Sequence, residues 1–223
     1  MPKPRALIFD FDGLIVDTEV PIFDAWQVDY AEFGQELSLD DYVGCVGSDF
    51  GGFDPQKHLE TLTGETIEWG KLDAAREQRA HDAVDLLGPM PGIIALLDEA
   101  EAVGIPCAVA SSSPRSWVEQ HLNRIGLMDR FELTRTIDDV SAPKPSPELF
   151  LAAAKGLGVE PQEAIVFEDS LNGLKASITA GSPCVVVPNR ITALLDFEGA
   201  TRRVKSMEEV NVPWLREIFS AGE

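Results

Sequence analysis

The feature that most constrains the fold is an apolar run near the start of the chain that ends in two aspartates. Residues 6–9 read Ala-Leu-Ile-Phe, and Asp-Phe-Asp-Gly follows directly. An unbroken apolar run of this length predicts a buried strand in a parallel sheet. Open α/β sheets bind their ligands at the carboxyl ends of such strands. We therefore expect Asp10 and Asp12 to lie at a binding edge, although a solvated acidic turn would also fit this stretch alone.

Two carboxylates at this spacing can divide chemical work between them. One of them can attack an electrophile or hold a cation, while the other transfers protons. Gly13 follows the pair, and a glycine there lets the backbone turn away from the strand.

The chain is strongly acidic, with 18 basic and 38 acidic residues among 223 and a formal net charge of −20. Such a field repels nucleic acid and anionic membrane surfaces, so we exclude both as partners. The acidity is greatest in residues 18–87, which hold 4 basic and 16 acidic side chains. No stretch approaches a membrane-spanning length, and the start lacks the long apolar region of a signal peptide. We expect a cytoplasmic monomer.

The cysteines and histidines show no metal-binding or disulfide pattern. The three cysteines, Cys45, Cys107 and Cys184, have no CxxC spacing, and the last two lie in strand-like apolar runs. We expect small apolar core residues in a reducing compartment. The three histidines occur singly in predicted helices: His58, His81 and His121. We interpret them as surface or hydrogen-bonded residues rather than ligands.

The chain divides into two kinds of pattern. Residues 20–34 place apolar side chains at helical spacing, Asp54-Pro55 and Gly64 predict the start and stop of a second helix, and residues 71–87 predict a third. Beyond Gly88, strands alternate with helices, which is typical of a parallel sheet. The predicted strands are residues 105–110, 133–137, 164–167 and 183–187; the predicted helices are 92–103, 114–125, one capped by Ser146 with Pro147 first, and one ending at Gly181.

The predicted fold is therefore α/β, a Rossmann-like parallel sheet core with an inserted α-helical cap. Residues 1–17 and 88–223 form the core domain and residues 18–87 form the cap. A cleft between the two bodies would be a natural substrate site.

Polar groups follow three further strands at the same edge. Ser111 lies where a strand meets a helix, a position whose hydroxyl and following amides suit a phosphate oxygen. Lys144 lies between two prolines, and Glu168 and Asp169 end a strand. Hard carboxylate oxygens without His or Cys favour Mg²⁺ over zinc. Each residue alone could be a helix cap or a surface charge, and only their shared setting favours a site.

These segments resemble the haloacid dehalogenase (HAD)-like hydrolase superfamily, in the helical-cap branch close to β-phosphoglucomutase-like phosphatases. The resemblance rests on four segments in the family's order and covers nearly the whole chain: Asp10–Glu19, Ala110–Ser113, Lys144-Pro145, and Phe167–Ser170 with Gly173. It implies a small phosphorylated substrate and Mg²⁺ as cofactor.

The resemblance also implies the role of each residue. Asp10 would be the nucleophile that forms an aspartyl phosphate, and Asp12 the general acid and base. The implied catalytic set is Asp10, Asp12, Ser111 and Lys144. The implied phosphate ligands are Ser111, Ser112 and Lys144. The implied magnesium ligands are Asp10, Asp12, Glu168 and Asp169. The presence of Asp12 separates the chain from the family's dehalogenases, which attack carbon.

The expected function is a magnesium-dependent phosphatase acting on a sugar phosphate-like monoester. A β-phosphoglucomutase-like phosphotransferase and a non-catalytic binding module stay open as alternatives. Against the mutase, Ile22 and a site near Gly47 stand where those enzymes carry a histidine and an arginine, although Arg76 or Arg79 could substitute.

Overall fold

The computed structural model describes residues 4–43 and 53–220, and the expectations for Cys45 and the site near Gly47 lie outside them. The described strands are β1 Ala6–Phe9, β2 Cys107–Ala110, β3 Leu133–Arg135, β4 Ala164–Glu168, β5 Cys184–Val186 and β6 Arg202–Arg203. They form one sheet in the order β3-β2-β1-β4-β5-β6, and every pairing is parallel. The helices are α1 Glu19–Glu32, α2 Leu39–Tyr42, α3 Pro55–Thr63, α4 Trp69–Val84, α5 Ile93–Ala102, α6 Arg115–Arg124, α7 Glu148–Gly156, α8 Leu171–Ala180 and α9 Val212–Ser220.

The first strand lies at the centre of the sheet because each of its residues is apolar and buried. Phe9 pairs with Val109 on β2 and with Phe167 on β4. The rings of Phe9 and Phe167 stack with centroids 4.9 Å apart. A buried phenylalanine contributes about 1.5–3 kcal/mol to stability through removal of its surface from water. This register brings the carboxyl ends of three neighbouring strands level with one another.

Alternate residues of β1 supply two different cores. Leu7 and Phe9 belong to the cluster that includes α5, α6 and α9, while Ala6 and Ile8 belong to the cluster that includes α7 and α8. Successive side chains of a strand point to opposite faces, so helices cover both sides of the sheet. The predicted α/β fold is confirmed.

The described part of residues 18–87 is helical and has a core of its own. Its buried aromatic residues include Phe23, Trp26 and Tyr30 on α1 and Tyr42 on α2. The predicted helical insertion is confirmed as a feature of the fold, while its assignment as a separate domain of residues 18–87 stays a prediction.

A buried ion cluster joins α1 to α4 inside this insertion. Asp29 is fully buried and accepts from Arg76 at 2.9 Å and also from Arg79. The Arg76 guanidinium lies 3.5 Å from the centroid of the Trp26 ring, a cation–π geometry. Arg76 and Arg79, which were considered above as substitutes for the mutase arginine, are therefore both engaged by Asp29.

Helix boundaries agree with their local sequence signals. Asp54 caps α3 by accepting from the amides of Gln56 and Lys57, and Gly64 ends it with φ of 72°. One predicted start differs, because α7 begins at Glu148, and Ser146 accepts from the Glu148 amide at 3.4 Å.

Three of the described helices and strands were not predicted: the four-residue helix α2, the strand β6 and the helix α9. β6 consists of two exposed arginines at the sheet edge, where no apolar run marks a strand. α9 buries Val212, Leu215 and Phe219, whose helical spacing was present in the sequence. Among the described helices, none is long and apolar enough to cross a bilayer.

Gly92, immediately before α5, is fixed by both its backbone angle and its neighbours. Its φ is 90°, and an added Cβ would overlap the backbone of Met207 and Glu208. We expect Gly92→Ala to lower the free energy of unfolding by more than the about 1–2 kcal/mol that a left-handed backbone alone costs. Urea unfolding measures this change.

Gly104→Ala is the matched control, because Gly104 has φ of 71° but no atom within 4 Å of its added Cβ. Equal losses in the two variants would contradict the steric argument.

Candidate active site

The central strands bring the expected acidic residues together. Asp10 follows β1, Glu168 ends β4, and Asp169 comes next; all three are buried. One ligand atom from each lies within 4.8 Å of the others. Three of the four carboxylates that were expected to hold a metal, those of Asp10, Glu168 and Asp169, therefore lie close together.

Lys144 bridges two of these acids from the loop before α7. Its Nζ donates to Asp10 Oδ1 at 2.5 Å and to Glu168 Oε1 at 2.6 Å. Burial lowers the pKa of Lys144, but the charges and hydrogen bonds of the two carboxylates outweigh it and raise the pKa above its ordinary value. The lysine is therefore a fixed cation at the floor of the site.

Ser112 anchors this loop. Its Oγ accepts from the backbone amide of Lys144 at 3.1 Å. The expected contact between Ser112 and phosphate stays a prediction, and in this geometry the side chain positions Lys144.

The single positive charge of Lys144 does not neutralise the negative charges of three buried carboxylates. Burial raises the pKa of Asp10 to about 8, and Glu168 and Asp12 raise it against the opposing effect of Lys144. Burial likewise raises the pKa of Asp169, with Glu168 and Asp10 adding to it. A second cation would hold these groups ionised, and oxygen donors suit Mg²⁺. The donor set therefore fits the expected ion.

The three acids differ in how many oxygens are free. Glu168 Oε2 accepts from the amides of Asp169 and Ser170 and from the Ser170 hydroxyl, while its Oε1 accepts from Lys144. Asp169 Oδ2 accepts from Asn189 at 2.7 Å. Among the described groups, none donates to Asp169 Oδ1 or Asp10 Oδ2. These two oxygens are the best placed to hold a cation.

Asp12 has a different environment. Its Oδ1 accepts from Trp117 Nε1 at 2.9 Å, and its Oδ2 accepts from Ser113 Oγ at 2.6 Å and Ser111 Oγ at 3.2 Å. The carboxylate is therefore turned away from the other three acids. The expected magnesium contact of Asp12 stays a prediction without support from this side-chain geometry.

A cavity of about 930 Å³ is lined by Asp10, Asp12, Lys144 and Asp169, together with Ser111 and Ser112. Residues from the insertion and from α6 and α8 complete its wall: Glu19, Ile22, Ser116, Trp117 and Asn172. Among the described lining residues, Lys144 is the one lysine or arginine, whereas four carboxylates are present. The cavity can hold a small anionic group at its floor and a larger polar group above it.

The sequence interpretation missed several residues of this site. Ser113 precedes α6 and Trp117 lies in its first turn, and only their closeness in sequence to Ser111 could have indicated them. Asn189 follows β5 and carried no motif. Asn189 also donates to the Gly13 carbonyl at 3.3 Å, so it links the Asp169 side chain to the first turn.

Two histidines expected to be isolated are neighbours. His81, Asp85 and His121 offer ligand atoms within 4.8 Å of one another. Arg124 Nε lies 3.3 Å from His121 Nδ1 and 3.5 Å from Asp85 Oδ1, so a fixed cation already occupies this position. The same guanidinium donates to three carbonyls at the end of α4, those of Val84, Asp85 and Leu87. We assign the cluster to joining α6 with α4 rather than to a metal.

Glu19 gives a pH-dependent test of the cavity's charge. Burial, with Asp12 and Asp17 nearby, raises the pKa of Glu19 from 4.5 to about 7. The folded state thus binds the proton more tightly than the unfolded state, and stability is lost as pH rises through this window. We expect Glu19→Gln to gain about 1–2 kcal/mol more in unfolding free energy at pH 8 than at pH 5.

Denaturant unfolding at the two pH values measures this difference. Glu32→Gln, on the exposed face of the same helix, is the matched control. A gain that is the same at both pH values would show that Glu19 ionises normally in the folded protein.

Comparison with known proteins agrees with this geometry. The family model of haloacid dehalogenase-like hydrolases matches residues 7–187. The provisionally assigned phosphatase YhcW of Bacillus subtilis is 42% identical over 217 residues, which cover 97% of this chain and 98% of that protein. The phosphorylated carbohydrates phosphatase of Thermotoga maritima is 30% identical, over 96% of this chain and 100% of its own length.

A solved structure is similar as well. An aspartate-to-asparagine mutant of CbbY from Rhodobacter sphaeroides, in complex with xylulose-(1,5)bisphosphate, has a TM-score of 0.71 and 27% identity. The match covers 92% of this chain and 96% of that one. The expected enzyme class, a hydrolase related to phosphatases, is confirmed. The chain belongs to the haloacid dehalogenase-like hydrolase family.

Proposed function

We propose that the protein is a magnesium-dependent phosphatase that hydrolyses a small sugar phosphate-like monoester through an aspartyl phosphate on Asp10. The observation that carries this proposal is the buried Lys144, which bonds Asp10 and Glu168 at the floor of a cavity. A phosphate dianion cannot approach unscreened carboxylates, and this ammonium supplies positive charge where the anion must lie.

Ser111 and Lys144 bind the phosphoryl group. Ser111 is buried at the end of β2, and its Oγ accepts from the Ser113 amide at 3.0 Å, which orients the hydroxyl. A bound Mg²⁺ would supply further positive charge, held by Asp10 and Asp169 with help from Glu168.

Two steps then follow from the placement of Asp10 and Asp12. An Asp10 oxygen attacks phosphorus, the ester P–O bond breaks, and Asp12 gives its proton to the leaving alcohol. Asp12 next takes a proton from water, whose oxygen attacks the aspartyl phosphate. The bond between Asp10 and phosphorus breaks, which releases inorganic phosphate and restores the Asp10 carboxylate and the protonated Asp12.

The comparisons support the substrate class. One relative is named for phosphorylated carbohydrates, and another was solved with a sugar bisphosphate. The binding-module alternative is weakened because every position of the expected catalytic set is filled. We retain the expectation of a cytoplasmic monomer as part of this proposal.

The decisive variant is Asp10→Asn, which keeps the volume of the side chain but loses its nucleophilic oxygen. We expect phosphate release from aryl and sugar phosphates with Mg²⁺ to fall more than about 1,000-fold. Asp24→Asn, an exposed carboxylate on α1, should retain wild-type activity.

The same assay tests the metal. Wild-type activity should disappear on chelation and return with Mg²⁺. Turnover by Asp10→Asn within tenfold of wild type, or full activity after exhaustive chelation, would refute the proposed mechanism.

Hydrolysis is favoured over isomerisation because the described cavity offers little to hold a second phosphate. The Ile22 side chain has no hydrogen-bonding group, and Arg76 and Arg79 are engaged by Asp29. A mutase must retain a bisphosphate intermediate while it reorients. We expect β-glucose 1-phosphate, with a trace of the 1,6-bisphosphate, to yield free phosphate rather than glucose 6-phosphate.

Phosphorus NMR separates the two products. If glucose 6-phosphate accumulated without a matching amount of free phosphate, the protein would instead be assigned as a β-phosphoglucomutase-like phosphotransferase. A preference for bisphosphate substrates in a metabolite screen would contradict the inference that the described cavity holds no second phosphate, but it would not contradict hydrolysis.

A further inference from the structure

The two oxygens of Asp12 accept hydrogen bonds from different kinds of donor. Oδ1 accepts from the indole nitrogen of Trp117, and Oδ2 accepts from the hydroxyls of Ser113 and Ser111. All four residues line the same cavity. The carboxylate is thus held between a nitrogen donor on one side and two hydroxyls on the other.

This asymmetry decides where a proton can reside on Asp12. An indole N–H donates and never accepts, whereas a hydroxyl can do either. A proton on Oδ1 would make that oxygen a poorer acceptor and would weaken the hydrogen bond from the indole N–H. A proton on Oδ2 is compatible with every partner, because a serine hydroxyl can rotate and accept it.

We propose that Trp117 is a positioning residue for Asp12, and that it reserves Oδ2 as the oxygen that gives and takes the proton. This inference rests on the proposed phosphatase function. Trp117 acts through Asp12: its N–H keeps Oδ1 an acceptor in both protonation states and fixes the plane of the carboxylate toward the serines. Nothing in the reaction requires the indole to touch the phosphoryl group.

The indole is itself held in place from behind. His121 lies one helical turn later on α6, is fully buried, and contacts the indole with ring centroids 4.2 Å apart at 71°. His81 on α4 also lies against the indole, with ring centroids 5.8 Å apart. His121 belongs to α6 and His81 to α4. The packing of these two helices against each other therefore restricts rotation of the indole away from Asp12.

Trp117→Phe removes the donor and keeps an aromatic ring against His121. The test compares kcat/KM, with Mg²⁺, for p-nitrophenyl phosphate and for the alkyl phosphate that the wild type hydrolyses fastest. This parameter reports transfer of the phosphoryl group to Asp10. A nitrophenolate leaves without a proton, whereas an alkoxide needs one from Asp12. We expect a loss of about 10- to 100-fold for the alkyl ester and less than about threefold for the aryl ester.

Trp214→Phe is the matched control, since Trp214 packs partly buried against the main core and does not line the cavity. Its ratio of aryl to alkyl kcat/KM should equal that of the wild type. Because each ratio is measured on one preparation, loss of folded protein cancels from it.

An equal fall for both esters in Trp117→Phe would reduce the indole to a packing role, and an unchanged alkyl rate would show that its hydrogen bond is dispensable. Either result overturns the proposal while the phosphatase assignment stands. A wild type that hydrolyses neither ester with Mg²⁺ would instead overturn the proposed function and this inference with it.

Discussion

The site depends on one buried ammonium. Lys144 Nζ lies between Asp10 and Glu168, and all three side chains are removed from water. Moving a charge from water into a protein interior costs several kcal/mol unless a partner compensates it. Each of the three therefore requires the others, which fixes the loop before α7 against the ends of β1 and β4. Asp10, the proposed nucleophile, is oriented by the same contacts that hold the fold together at this edge.

The negative charges of the buried carboxylates at this edge outnumber the one positive charge of Lys144, so a further cation would be needed to neutralise them. With three buried carboxylates around one lysine, the pKa of Asp10 rises to about 8, and a protonated Asp10 is a poor nucleophile. Positive charge near Asp10 and Asp169 would return the carboxylate to its reactive form. In the proposed mechanism, charge rather than any single contact would thus link metal binding to the nucleophilicity of Asp10.

The sequence could predict those features of the fold and the site that neighbouring residues determine, but not those that depend on contacts between distant residues. The apolar run of β1 and the acids after it are contiguous, so their strand and their edge follow from periodicity and from the rule for parallel sheets. The cap and stop of α3 also follow from Asp54 and Gly64 alone. By contrast, Asn189 reaches Asp169 from a loop after β5, and no local pattern marks that contact. The burial of Asp29 between two arginines is equally hidden, because charges spaced along a helix read as a solvated face.

The two segments that connect the insertion to the sheet make contacts, between residues distant in sequence, that bear on the position of Asp12. The chain leaves the first motif directly into α1, and it returns past Met90, whose amide donates to the Ile15 carbonyl at 2.8 Å. The two connecting segments are thus bonded to each other beside Asp12. Arg124 holds the end of α4 from the core side. Because α4 carries His81 and α6 carries Trp117, packing of the insertion against α6 also places a ring against the indole that donates to Asp12. The helices of the insertion are therefore coupled, through aromatic packing, to Asp12, the carboxylate proposed to protonate the leaving group.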